Sequence, residues 1–320
     1  MRRSAAGARD TRGRAAPYAN RETARAWGAG QLIAAGLDFR EAWVEADVLL
    51  RHAAGLTREE ILLRPSAPLA AEAAGAFAAL VERRVAGCPS AYLTGRCEFY
   101  GLTLHVDSRV LIPRPETERL VEVAIAALAA RPAPVIVDLG TGSGAIALAL
   151  AHAMPDARLI AIDVSEDALE VARTNAARLG LGGRIAWRRG DVLDALAGVV
   201  PAGGVDAICA NPPYVPTPDV ASLAREIREH EPGTALDGGP DGLVVHRRII
   251  SSAPAYLRPG GALVLETSAL GGQAQSVAAL IAAAGTFTAA QIVRDYAGLD
   301  RIVLATRLES LDSGAPSSRR

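Results

Sequence analysis

Asn211-Pro212-Pro213-Tyr214 is the segment whose residue types most directly suggest a chemistry. Asn211 carries both a carbonyl acceptor and an NH2 donor, so its side chain matches the edge of a primary amide or an amidine-like group. Pro212 and Pro213 have no N–H and a fixed φ, which leaves backbone carbonyls free to accept a second N–H. Tyr214 offers a flat face to a planar group. A nitrogen of that kind is a poor nucleophile because its lone pair is delocalised. To react, it must be held while it pyramidalises toward an electrophile such as a sulfonium methyl, which is work of positioning and transition-state electrostatics. Its proton becomes acidic as the new bond forms, so no strong base is needed. Adenine N6, guanine N2 and a glutamine side-chain nitrogen all fit, and the tetrapeptide leaves the choice open.

The second group is Asp138-Leu139-Gly140-Thr141-Gly142-Ser143-Gly144, at the end of a strand and the start of a helix. Without side chains at Gly140, Gly142 and Gly144 the backbone can turn sharply and admit a cofactor, so Gly140 to Gly144, with Thr141 and Ser143, form the candidate cofactor loop. Asp163 ends the next strand, 25 residues after Asp138. That is near the ~20-residue offset of a carboxylate that accepts ribose hydroxyls. Asp191 and Val192 follow the third strand, where related enzymes contact adenine. A nicotinamide enzyme would need a hydride-transfer partner near the fourth strand, and the sequence has Asn-Pro-Pro-Tyr there.

The elements that must position these groups are legible as a change of texture. From Glu22 to Ala86 apolar residues recur at helical spacing (Trp27, Leu32 and Ile33; Trp43, Val44, Val48 and Leu49; Ile61 and Leu62; Phe77, Leu80 and Val81), which predicts a small helical bundle with its aromatics in the core. Between Cys88 and Pro115 short extended pieces, Glu98 to Phe99 and Leu102 to Val106, predict a hairpin. A helix is expected from Thr117, and from Pro134 strands and helices alternate, which specifies a doubly wound, mostly parallel α/β sheet. Two final strands, Phe287 to Val293 and Arg301 to Ala305, have no helix between them and predict an antiparallel edge hairpin, which resembles the class I S-adenosylmethionine-dependent methyltransferase fold. The expected organisation is a tail at 1–20, a helical domain at 21–87, a β-hairpin linker at 88–116, an α/β domain at 117–308 and a loose tail at 309–320.

Composition narrows the setting. The 320 residues carry a formal net charge of -1, which gives no general attraction for a phosphate backbone. All 34 basic residues are Arg, a sign of coding bias. Apolar runs stop well short of the roughly 20 residues that span a bilayer. Three scattered cysteines and five histidines form no ligand-spaced cluster, so no metal and a reducing, cytoplasmic setting are expected.

Beyond these local readings, the chain from about residue 25 to 307 resembles the release factor glutamine methyltransferase family. The likeness rests on Pro89-Ser90-Ala91-Tyr92-Leu93-Thr94-Gly95, on Glu98-Phe99-Tyr100-Gly101-Leu102 and above all on Val110-Leu111-Ile112-Pro113-Arg114-Pro115-Glu116-Thr117-Glu118. Sister enzymes that methylate a ribosomal protein usually carry Pro-Arg-Ser-Pro at that corner, so Pro113-Arg114-Pro115-Glu116 favours the release-factor branch. Glu231-Pro232, Ala235-Leu236, Gly238-Gly239, Asp241-Gly242-Leu243 and Arg294-Asp295-Tyr296 with Gly298 and Arg301 agree.

The resemblance implies S-adenosyl-L-methionine as methyl donor and a class 1 peptide-chain release factor as partner, without nucleic acid, membrane or metal. It assigns cofactor binding to Gly140–Gly144, Asp163, Asp191, Val192 and Asn211, and glutamine binding to Asn211, Pro212, Pro213 and Tyr214. Asn211, Pro212 and Tyr214 would be the catalytic set, Phe99 and Tyr100 are further candidates for lining the site, and the resemblance makes 21–87 the substrate-recognition domain and 117–308 the catalytic domain. The alternatives are a ribosomal-protein glutamine methyltransferase, an adenine or guanine N-methyltransferase, and a non-catalytic binding module. Where the family commonly shows Glu-Ile-Gly or Glu-His-Gly, this chain has Glu266-Thr267-Ser268, which suggests a less permissive backbone there. Gly271-Gly272-Gln273 repeats the release factor's own substrate tripeptide and reads as coincidence at a helix start.

Overall fold

The computed structural model describes residues 18–192 and 194–309. Most of both expected tails therefore lies outside the described residues. The described residues form two compact units, those up to residue 96 with 224–230, and those of 97–223 with the ones from 231 onward.

The first unit is built from α1 (Arg21–Ala34), α2 (Phe39–Ala54), α3 (Arg58–Leu63), α4 (Ala71–Val85) and the short α5 (Ser90–Thr94). Local chemistry sets the ends. Asn20 and Thr23 form a capping box at α1, Thr57 and Glu60 form another at α3, and Gly55 closes α2 in the left-handed region. Tyr18, expected in the tail, is instead buried, and its hydroxyl donates to Ala74 O at 2.8 Å. Its ring packs with Trp27 and Phe77 at centroid distances of 5.2 to 6.0 Å. Gly28 makes room for them, since a Cβ there would lie 2.6 Å from the Phe77 ring. Of the neighbouring apolar pairs in the sequence only one member is inside. Leu32 and Ile61 are buried while Ile33, Leu62 and Val44 are exposed, because successive helical residues point about 100° apart.

The second unit begins with a hairpin, β1 (Arg96–Phe99) and β2 (Leu102–His105), turned by Tyr100 and Gly101, both at positive φ. Then follow α6 (Thr117–Ala127), β3 (Val135–Leu139), α7 (Ala145–Ala153), β4 (Arg158–Asp163), α8 (Glu166–Arg178), β5 (Ile185–Arg189) and β6 (Val205–Ala210). Next come α9 (Arg225–His230), which clusters with the helical unit, then α10 (Val244–Tyr256), β7 (Leu257–Glu266), α11 (Gln273–Ala284), β8 (Gln291–Arg294) and β9 (Asp300–Thr306).

Seven strands form one sheet in the order β5-β4-β3-β6-β7-β9-β8, parallel up to β7, with β9 antiparallel to both neighbours. The central strands are covered on both faces, so β6 is buried at every residue. β7 starts at Leu257 rather than at the apolar run from Ala262. Leu257 pairs with Val205, and Pro259-Gly260-Gly261 falls where the register shifts. Phe287, expected to open the eighth strand, makes only an isolated bridge to Arg307.

Register places the functional edge. Leu139 is level with Ile162 on one side and with Ala210 on the other, and Ala210 is level with Leu265. Gly140, Asp163, Asn211 and Glu266 each follow one of those residues, so they emerge together at the carboxyl edge. The strand order reverses between β3 and β6, which is where open α/β sheets bind ligands.

Candidate active site

The three glycines of the loop after β3 share one backbone demand. Gly140, Gly142 and Gly144 have φ of 68°, 54° and 84°, a region costly for residues with a Cβ. Gly144 also caps α7 against α8, where a Cβ would lie 3.2 Å from that of Ala172. Asp138, fully buried beneath the loop, accepts from the Thr141 hydroxyl at 2.6 Å and from Ala147 N–H at 3.1 Å. Burial pushes its pKa up to about 7. Asn175, on the buried face of α8, donates to Ser143 O and His105 O and accepts from His105 N–H, which ties loop to hairpin. A polar residue at a core-facing helical position was the sequence signal for that clamp, and it was missed.

A cavity of about 250 Å³ opens over this edge, walled by Gly140, Gly142, Asp163, Val192, Asn211 and Pro212 among others. Asp163 accepts Gly142 N–H at 2.8 Å on one oxygen and Ser165 N–H at 2.9 Å on the other. Burial raises its pKa, against the pull of those backbone donors. Val192 reaches the wall with φ of 52°, an outlier for a β-branched side chain. Asp191 also lines the cavity, and its carboxylate pairs with Arg248 at 3.0 Å.

The tetrapeptide after β6 is held from behind. Asn211 Nδ2 donates to the Thr117 hydroxyl at 3.2 Å. Gly238 and Gly242 lie flush against its backbone: a Cβ on Gly238 would be 2.7 Å from Pro213 O, and one on Gly242 would be 2.4 Å from Tyr214 O. Gln273 donates to Tyr214 O at 2.9 Å and accepts Ser268 N–H at 2.7 Å. The tripeptide that read as coincidence thus supplies the brace between this segment and the turn after β7. That turn is unstrained as Ser268, since Ser268 does not take a positive φ. Behind the corner at Pro113, buried Glu231 accepts from Arg114 at 2.6 Å and from Ile112 N–H at 3.3 Å, which accounts for the two motifs occurring together.

Not every expected residue reaches the cavity. Thr141 and Ser143 are buried beneath the loop, and Tyr214 lies outside the cavity wall. Burial and the neighbouring Glu266 carboxyl push the Tyr214 phenol up to about 12. Phe99 is buried in the core, and Tyr100 turns the hairpin with its N–H donated to Glu118. Neither lines the cavity. Thr117, which accepts from Asn211, Gln273, which holds Tyr214 O, and Glu266, which follows the register partner of Ala210, were not singled out from sequence as site residues. Among the described residues no group of three or more His, Cys, Asp and Glu side chains is arranged for a metal, and no helix is long and apolar enough to cross a membrane.

Residues 23–95 match the PrmC N-terminal domain and residues 136–231 match a methyltransferase domain. The chain is 47% identical over 266 residues to the release factor glutamine methyltransferase of Moorella thermoacetica, covering 83% of this chain and 92% of that one. It is 42% identical to the enzyme of that name from Gloeobacter violaceus, over 81% of this chain and 89% of that one. For Caulobacter vibrioides the figures are 39%, 88% and 96%.

Proposed function

The chain belongs to the release factor glutamine methyltransferase family and is a methyltransferase, and from that premise we propose that it carries a methyl group from S-adenosyl-L-methionine to the side-chain amide nitrogen (N5) of the glutamine in the Gly-Gly-Gln motif of a class 1 peptide-chain release factor. The observation that carries this reading is the place of Asn211 in the wall of the cavity that Gly140, Gly142 and Asp163 also line.

The cavity suits the donor. The left-handed glycines leave the loop without side chains, so a bulky ligand can approach the backbone. Each Asp163 oxygen spends one lone pair on a backbone N–H, which leaves capacity for two ribose hydroxyls. Val192 and the Asp191 carboxylate are the groups for the adenine side. The bound donor supplies an electrophilic methyl on a sulfonium.

The chain's own residues do the rest. Asn211 Oδ1 accepts one N–H of the glutamine amide, since Nδ2 is committed to Thr117. Tyr214 O is taken by Gln273, and Pro213 O packs against Gly238, so Pro212 O is the backbone acceptor for the second N–H. Fixing both N–H bonds turns the nitrogen lone pair toward the methyl and stabilises the pyramidal, positively charged nitrogen as it forms. The helical unit would engage the rest of the release factor.

The test is transfer of labelled methyl to a release factor and to a variant with the glutamine of that motif replaced by Ala. Label confined to the unmodified motif, placed by mass spectrometry on the glutamine, is expected. Label that survives the replacement, or that enters ribosomes or DNA without release factor, overturns the reading.

A further inference from the structure

Glu266 ends β7 next to the strand that Asn211 follows, and Ala210 and Leu265, the residues just before the two, are register partners. The residue is 1% exposed, and neither carboxyl oxygen meets a hydrogen-bond partner at full geometry among the described residues. It does not line the cavity. Thr117, the first residue of α6 and itself buried, accepts from Asn211 Nδ2 at 3.2 Å, and its side chain is also the neighbour whose hydrogen bonding favours the charged form of Glu266.

We propose that Glu266, acting through the Thr117 hydroxyl, is the positioning residue that decides which way the Asn211 amide faces the reacting nitrogen. The inference rests on Asn211 being the holder of that nitrogen. A primary amide fits its pocket in two orientations that exchange oxygen and nitrogen, and a threonine hydroxyl can serve either one by donating or accepting. A carboxylate beside the hydroxyl removes the choice. It accepts only, so it takes the Thr117 proton and leaves the Thr117 lone pair for Asn211 Nδ2. Asn211 Oδ1 then faces the substrate amide. A protonated Glu266 would donate to Thr117 instead, free the hydroxyl proton for Asn211 and turn the amide round.

The charged surroundings are mixed. Arg301 from β9 and Arg114 from the segment before α6 favour the carboxylate, and Glu116 opposes it. The Tyr214 phenol and the His246 ring, whose Nε2 is 2.9 Å from Glu266 O, are the other titratable neighbours. Burial is the largest influence and leaves the group titrating at about 7.

The experiment measures kcat, KM for a release factor, donor affinity by calorimetry and the pH profile of kcat in the full chain, for wild type, E266Q, T117V, T117S and the double variant E266Q/T117V. E266Q replaces an obligate acceptor by an amide that can donate to or accept from Thr117, so both Asn211 orientations return, and it is expected to lower kcat about three- to tenfold, with KM and donor affinity within about threefold. Wild-type kcat falls as pH drops through about 7, and E266Q loses that limb. T117S regains most of the turnover that T117V loses, and E266Q/T117V is no slower than T117V alone. Multiplying effects in the double variant, or an acid limb that persists in E266Q, would overturn the proposal. If Asn211→Ala itself left kcat intact, the assignment of Asn211 would fail. If Asn211→Ala abolished turnover while E266Q and T117V did not, only the role of Glu266 would fail.

Discussion

Replacing Asn211 by Ala tests the proposed holding of the nucleophile separately from the proposed building of the cofactor cavity. The truncation removes the proposed acceptor for the substrate N–H and leaves the Thr117 hydroxyl without its donor at 3.2 Å. A buried group left unmet costs about 1–3 kcal/mol, and loss of one preorganised stabiliser of transition-state charge costs about 10²- to 10³-fold in kcat. A fall in kcat of that second size, roughly 3–4 kcal/mol, is therefore expected. Donor affinity should change less than about threefold, because Gly140, Gly142, Asp163 and Val192 still wall the cavity. Single-turnover transfer of labelled methyl to a release factor gives the first quantity and calorimetry with S-adenosyl-L-methionine the second. Parallel loss of both would mean that Asn211 chiefly builds the cofactor pocket, and an unchanged kcat would remove it from the reaction.

Three further outcomes follow from the geometry. Gly142→Ala meets nothing within 4 Å but must hold φ of 54°, so it should lose about 1–2 kcal/mol, or a few degrees in Tm. Gly242→Ala, also at positive φ but with its Cβ 2.4 Å from Tyr214 O, should lose more; equal melting shifts would show that close approach to Tyr214 does not matter. Asp163→Asn sets an NH2 against Gly142 N–H or Ser165 N–H and should weaken donor binding at least about tenfold. Asp191→Asn, whose side chain is 58% exposed and paired with Arg248, should cost less than about threefold, and the reverse ranking in calorimetry would exchange their roles. Asp138 has a folded-state pKa of about 7 against an ordinary 3.8, so between those values the folded chain binds more protons than the unfolded one. Its contribution to stability therefore falls as pH rises across that window and is level above it. Urea unfolding at about pH 5 and about pH 8 should show a smaller pH difference in Asp138→Asn than in wild type, and an identical slope would remove Asp138 as its source.

Much of the fold was legible because its signals are short-range. The bounds of β6 and α11 coincide with the apolar run Val205–Ala210 and the helical pattern Gln273–Ala284. The glycine turn was readable because Gly140, Gly142 and Gly144 meet a local backbone demand. Which member of each apolar pair in the bundle faces outward, as Val44 and Leu62 do, was not legible, because composition marks a residue as apolar without giving its angle on the helix. The start of β7 was missed because only pairing with Val205 makes Leu257 part of a strand.

The sequence by itself determined the alternation of strands and helices, the antiparallel edge, the glycine loop and the amide- and proline-bearing tetrapeptide at the end of β6. Each of these depends on φ preferences, side-chain periodicity or donor and acceptor chemistry within a few residues. Only the tertiary structure decided what stands behind Asn211. Thr117 is 94 residues before it, and Gln273 is 59 residues after Tyr214, whose carbonyl it holds. Parallel register sets Glu266 level with Asn211, and the packing of α6 brings Thr117 to both. Neighbours of that kind are fixed by how strands align across a sheet, which no local pattern records.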